Sequence, residues 1–226
     1  MTMDNTLAAS FGALLRARAS CRAFTDQPVD RALVEAALRD AQQVPSWCNS
    51  QPWEVHACGA EETARLAPAF FEHARSGAHA TDIPFPKAWD GVYKDRRRTC
   101  GWQLYGALGI EKGDRVASGR QMQENFRLFG ATGFLLITTP KVLGAYGVLD
   151  CGAYVTAVLL GLEARGIGAV AMASVAGFSP FMREWFDVAD DRDVLCGIAF
   201  GMPDRGNPAN SFRTERASPE EVVRWR

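Results

Sequence analysis

Two short segments constrain this chain more than any others: Arg18-Ala-Ser-Cys-Arg22 and, after an amphipathic stretch, Pro45-Ser-Trp-Cys-Asn-Ser-Gln-Pro-Trp53. In extended backbone, side chains alternate sides, so Arg18, Ser20 and Arg22 project together as two guanidinium forks and a hydroxyl. That array suits a phosphate group. The second segment sets two amides and two hydroxyls between prolines and beside two tryptophans. Such a stiff loop, with donors, acceptors and flat apolar walls, suits a heteroaromatic ring. Taken singly, each has a plainer reading. Arg16, Arg18 and Arg22 could compensate the end of a helix built on Leu7, Phe11, Leu14 and Leu15. Asn49, Ser50 and Gln51 could satisfy local backbone in a helix-terminating loop.

Elsewhere the pattern alternates helices with short strands. Asp30 caps a helix carrying Leu33, Val34, Ala37, Leu38 and Ala41. Residues 53–57 read as a strand, and 61–75 as a helix that Pro68 bends or splits. Helices are expected over 115–129, from a cap at Asp150 to Arg165, and after Ser179 as cap with Pro180 in the first turn. Strands are expected at 133–139, 167–173 and 194–200. Residues 218–221, Ser-Pro-Glu-Glu, satisfy the capping-box pattern. The stretch 76–113 breaks periodicity with prolines and glycines around Trp89, Tyr93, Trp102 and Tyr105, yet is too aromatic for a disordered linker.

Composition excludes several function classes. A chain of 226 residues with 47% hydrophobic and 23% charged residues is ordinary for one compact domain spanning 1–226. Its net charge of −1 offers no basic field for nucleic acid. Met1-Thr-Met-Asp-Asn opens no secretory signal, no uninterrupted apolar run reaches membrane-spanning length, and the six cysteines include no C-x-x-C pair. A cytoplasmic protein with reduced thiols and no metal is expected. Neither G-x-G-x-x-G, G-x-x-x-x-G-K-[ST] nor G-x-S-x-G occurs, so dinucleotide-fold, P-loop and esterase readings lack their defining turns.

The two segments, in this order and spacing, resemble the N-terminal signature of the FMN-dependent nitroreductase family, R-x-S-x-R/K followed by A-P-S-x-x-N-x-Q-P-W. The resemblance continues through Asp150-Cys-Gly152, Gly166-Ile-Gly168, the strand from Val194 to Pro203, and Arg213-Thr-Glu-Arg216 ahead of Pro219-Glu-Glu. It implies an α+β nitroreductase-like fold with a central mixed sheet wrapped by helices. It also implies a homodimer that exchanges C-terminal arms, here residues 204–226.

Carried over residue by residue, the resemblance assigns Arg18 and Ser20, with Arg216 and Arg213, to the FMN phosphate. Arg22 falls at the pyrimidine edge of the ring, where a fixed guanidinium would favour the reduced, more negative flavin. Pro45, Ser46, Asn49 and Gln51 match flavin contacts, in this family typically made from the other subunit. Met172, Ala173 and Ser174 match the strand end whose backbone N–H faces the reactive flavin nitrogen, although the P-x-E-G of some members is missing here. Asn125 is a further candidate at the ring edge, or else a helix-surface amide. The implied reaction is ping-pong, from NADH or NADPH to an electron-poor acceptor such as a nitroaromatic or quinone. Trp89, Tyr93, Arg97, Trp102 and Tyr105 are the candidate pocket for a small aromatic acceptor within a lid at 76–113, with core packing as the alternative. An ene-reductase, dehalogenase or biosynthetic oxidase would use the same fold. A non-catalytic flavin-sequestering protein remains the reading from another class.

Overall fold

The strand at the centre of the molecule shows how the sequence divides its core. Phe134 and Leu136 pack into one hydrophobic cluster, while Leu135 and Ile137 pack into another. Successive side chains of a strand point to opposite faces, so a fully apolar strand is one covered on both. The computed structural model describes residues 5–77 and 79–226. Their elements run α1 (Asn5–Ala17), α2 (Arg31–Ala41), β1 (Glu54–Cys58), α3 (Ala60–Ser76), α4 (Gly91–Ala107), α5 (Arg115–Gln123), β2 (Gly133–Pro140), α6 (Gly144–Glu163), β3 (Gly168–Met172), α7 (Ser179–Phe186), β4 (Arg192–Gly201) and one turn, α8 (Pro219–Val222).

The sheet has the order β1-β2-β4-β3. Leu66 and Phe70 of α3 and Met182 of α7 cover one face. Val34 and Ala37 of α2 and Tyr154, Val158 and Leu162 of α6 cover the other. This is the α+β architecture expected from the sequence. The sheet is not the mixed one expected, because all four strands pair antiparallel. Parallel pairing among the described residues is confined to single bridges, Ser20 with Ala169 and Ala80 with Phe178. The first of these matters most, because it zips the Arg18–Arg22 segment onto β3.

Four local expectations change. Asp150 does not cap α6, which begins at Gly144; its carboxylate lies in the second turn and serves the neighbouring loop. Ser179 is the first residue of α7 rather than its cap, and its hydroxyl donates to Ala176 O and accepts from Asp82 N–H. The helix expected over 115–129 stops at Gln123, because Leu128 and Phe129 adopt left-handed backbone (φ 54° and 55°) that buries both side chains. Pro68 leaves α3 a single helix. The Asp30 cap and the Ser218–Glu221 capping box form as expected.

Candidate functional site

The site is assembled where the chain leaves α1. After Arg18 the backbone becomes extended, and Cys21 donates its N–H to Ala169 O of β3 at 3.0 Å. This approach requires a glycine on the strand, since a Cβ at Gly168 would fall 2.8 Å from Cys21 Sγ. Thr25 then donates to Met202 O and Asp204 donates to Ala23 O, so the segment runs beside the chain that leaves β4. Alternation along it directs Arg18, Ser20 and Arg22 into one cleft of about 1180 Å³. Trp89, just ahead of α4, and Tyr93 and Arg97 on it form the far wall, and the C-terminal arm closes the side with Phe212, Arg213 and Arg216.

The cleft is strongly cationic. Arg16, Arg18, Arg22, Arg96, Arg97, Arg213 and Arg216 line it against only Asp95, Glu215 and Glu221. One exposed pair, Arg96 with Glu221 at 4.0 Å, neutralises little of this. The Arg213 guanidinium donates to Asn210 O and Phe212 O, and that of Arg216 to Thr214 and Glu215, which pre-shapes both without cancelling their charge. The Arg18 guanidinium has no carboxylate partner among the described residues. Arg22 donates weakly to Ser20 O at 3.4 Å and lies 5.8 Å over the Phe212 ring. Burial draws its guanidinium below the ordinary arginine range; Cys100 and Cys21 oppose that shift only as thiolates, and burial pushes the Cys21 thiol up. Arg22 is a half-buried cation with spare donors.

Eight of the expected residues therefore meet in this cleft: Arg18, Ser20, Arg22, Trp89, Tyr93, Arg97, Arg213 and Arg216. The others lie elsewhere. Trp102 and Tyr105 pack edge to face against each other farther along α4. Asn125 donates to Met122 O as a helix-end amide. Met172 is core, Ala173 is exposed, and the buried Ser174 hydroxyl has no protein partner. Pro45, Ser46, Asn49 and Gln51 lie on the α6 side, where Ser46 Oγ accepts the Gln51 N–H at 2.9 Å. A single copy of the chain thus holds the two halves of the sequence signature apart.

One residue that supports the cleft from behind carries no signal in the sequence. Asn210 Oδ1 accepts the Arg22 N–H at 2.7 Å, and its Nδ2 donates to Ala23 O and Asp204 O, both at 2.8 Å. It bolts the C-terminal arm to the arginine segment. In sequence it is an amide in a Gly-Asn-Pro-Ala-Asn-Ser turn, with no signal separating it from any surface asparagine.

A sequence model described as the nitroreductase family matches residues 15–202, a span that contains the arginine segment, the amide loop and every strand. The chain belongs to that family. Among its nitroreductase relatives, the 4-nitrobenzoate reductase of Nocardioides sp. (strain LMS-CY) is 31% identical over 219 residues, covering 95% of this chain and 89% of the relative. The nitrobenzene nitroreductase of Ectopseudomonas oleovorans is 28% identical over 213 residues, covering 93% and 94%. The solved FMN-dependent nitroreductase NfnB from Mycobacterium smegmatis, in complex with NADPH, superposes with a TM-score of 0.92 at 28% identity over 97% of this chain and 99% of that one. The cleft fits a flavin mononucleotide at its phosphate end: unneutralised guanidinium groups and a serine hydroxyl suit a dianion, and Arg22 offers charge farther in.

Proposed function

We propose that this nitroreductase is an FMN-dependent oxidoreductase that draws electrons from NADH or NADPH and reduces nitroaromatic, quinone or similarly electron-poor acceptors. The observation that carries this reading is the cationic cleft, built by an R-x-S-x-R segment locked onto a strand edge. Arg18, Ser20, Arg213 and Arg216 hold the phosphate, and Arg22 sets its charge against the pyrimidine edge of the ring. FMN, when bound, supplies the two-electron relay between nicotinamide and acceptor. The protein's own work is to bind, orient and exclude water, and none of the cleft residues needs to act as a nucleophile.

The working unit is a homodimer, in which the loop bearing Asn49 and Gln51 serves the neighbouring copy's cleft and the arms at 204–226 embrace across the interface. Two facts support this: the loop lies outside its own chain's cleft, and α1 and α6 leave large apolar side chains in water. The chain works as one unit over 1–226, with 76–113 as the lid over the acceptor pocket. Six cysteines without a disulfide among the described residues favour the cytoplasm.

Arg97 lies 5.8 Å over Trp89, with Tyr93 one turn away on the same face of α4. A flat acceptor bearing a carboxylate would find both stacking and a cation there, in keeping with the name of the Nocardioides relative. The test is to purify the full chain, record the flavin spectrum, and mix it anaerobically with NADH and NADPH in turn. Bleaching by either donor, then reoxidation by 4-nitrobenzoate or nitrobenzene, is expected. A stably bound flavin that neither donor reduces would make the protein a flavin-sequestering one.

A further inference from the structure

Between α2 and β1 the chain forms a tight loop in which Cys48 (φ 52°), Asn49 (φ 56°) and Gln51 (φ 46°) all have left-handed backbone. Asparagine, whose short amide can hydrogen-bond locally, tolerates this region, whereas it is costly for cysteine and glutamine. Such conformations persist only where surrounding groups over-determine them. From α6, Asp150 Oδ2 accepts the Trp47 N–H at 3.0 Å and the Ser50 hydroxyl at 3.5 Å. These partners bracket Cys48 and Asn49 on both sides. One turn earlier on α6, the Tyr146 ring packs on Trp47 at 4.4 Å, while Arg192 pins the far end of the loop through Pro52 O at 2.9 Å. Among the described residues, Asp150 is therefore the one charged group outside the loop that holds its strained centre.

We propose that Asp150 is the positioning residue of the flavin-ring half of the site: its carboxylate keeps the loop in the left-handed shape that presents Asn49 and Gln51 to FMN. This rests on the FMN reading above. The mechanism makes a specific demand, because relieving the strain should remove the need for the clamp. Cys48 can be replaced by glycine, which accepts positive φ without steric cost.

FMN is titrated into apo full-length wild type, Asp150→Ala, Cys48→Gly and the double variant by flavin fluorescence, with apo melting temperatures measured alongside. Asp150→Ala should weaken FMN binding about tenfold or more, a loss of about 1.4 kcal/mol. Cys48→Gly alone should stay within about threefold of wild type and, in the double variant, restore most of the loss. Asp150→Ala binding FMN like wild type would overturn the proposal. So would a loss that Cys48→Gly fails to rescue and that tracks a fall in apo melting temperature, since Asp150 would then merely stabilise α6. A wild type that binds no FMN would remove both this inference and the function it rests on.

Discussion

Arg18 and Arg216 carry the most direct prediction, because their guanidinium groups face the same cleft from opposite ends of the sequence without carboxylate partners among the described residues. Arg18→Ala and Arg216→Ala should each weaken FMN binding by about 1.5–3 kcal/mol, the scale of a charge-assisted hydrogen bond. Titration of the apo variants checks this, and unchanged affinity in both would return the arginines to solvated surface charge. Arg22 differs in kind, since burial and its Phe212 neighbour hold it farther into the cleft. A cation at the ring edge interacts more strongly with reduced than with oxidised flavin. Arg22→Gln should therefore retain much of its FMN yet lower the midpoint potential, by about 30 mV for each 1.4 kcal/mol of lost interaction. A wild-type midpoint in a potentiometric titration of that variant would sink the tuning role.

At the scale of elements, what the sequence revealed depended on whether an element packs. α2 and β2 announce themselves because their apolar residues fall at 3.6- and 2-residue periods or fill a fully covered strand. α4 was invisible for the opposite reason: no residue of its seventeen is buried, so it carries no apolar stripe. The arginine segment and the amide loop were legible because rare residue types stand at fixed spacing. Their supports were not, since Asp150 and Asn210 act through backbone groups brought close only by tertiary folding. Asn210 ties the arm to the arginine segment by two hydrogen bonds, with a third to Asp204 O within the arm, and Asn210→Ala leaves the Arg22 N–H without its partner, while Ala23 O and Asp204 O keep the N–H groups of Asp204 and Asn207. The cost should be about 1–3 kcal/mol, or about 2–4 °C of melting temperature per kcal/mol for a chain this size. FMN affinity should fall with it, because the arm that carries Arg213 loses its side-chain tie to the backbone of Arg22, although the Asn210 carbonyl that accepts from Arg213 remains. Calorimetry together with FMN titration decides the matter; a variant with wild-type stability and affinity would make the arm an independent appendage.

The whole molecule poses a question that one copy cannot answer. On α1, Leu7, Phe11 and Leu15 follow one another at intervals of four residues and stay 74%, 59% and 45% exposed. α6 packs Cys151, Tyr154, Val158 and Leu162 inward, yet leaves Tyr146 and Leu149 in water. By length and composition the helical stretch 141–163 could cross a bilayer. Its inner face, however, is committed to the sheet, and Asp150 holds the loop beside it. Apolar surface of this extent favours burial at roughly 25 cal/mol per Å², and contiguous patches of this kind mark association sites. A second copy would satisfy the apolar faces and bring an amide loop to each arginine cleft. Wild type should accordingly sediment as a dimer at micromolar concentration. Leu149→Asp, which sets a charge in the apolar face without touching the core, should shift it to monomer, and FMN should be lost in the same step because each site would lose its ring-binding half. A Leu149→Asp monomer that keeps wild-type FMN affinity would show instead that each chain builds its site alone, and the separation of the amide loop from the cleft would then need another explanation.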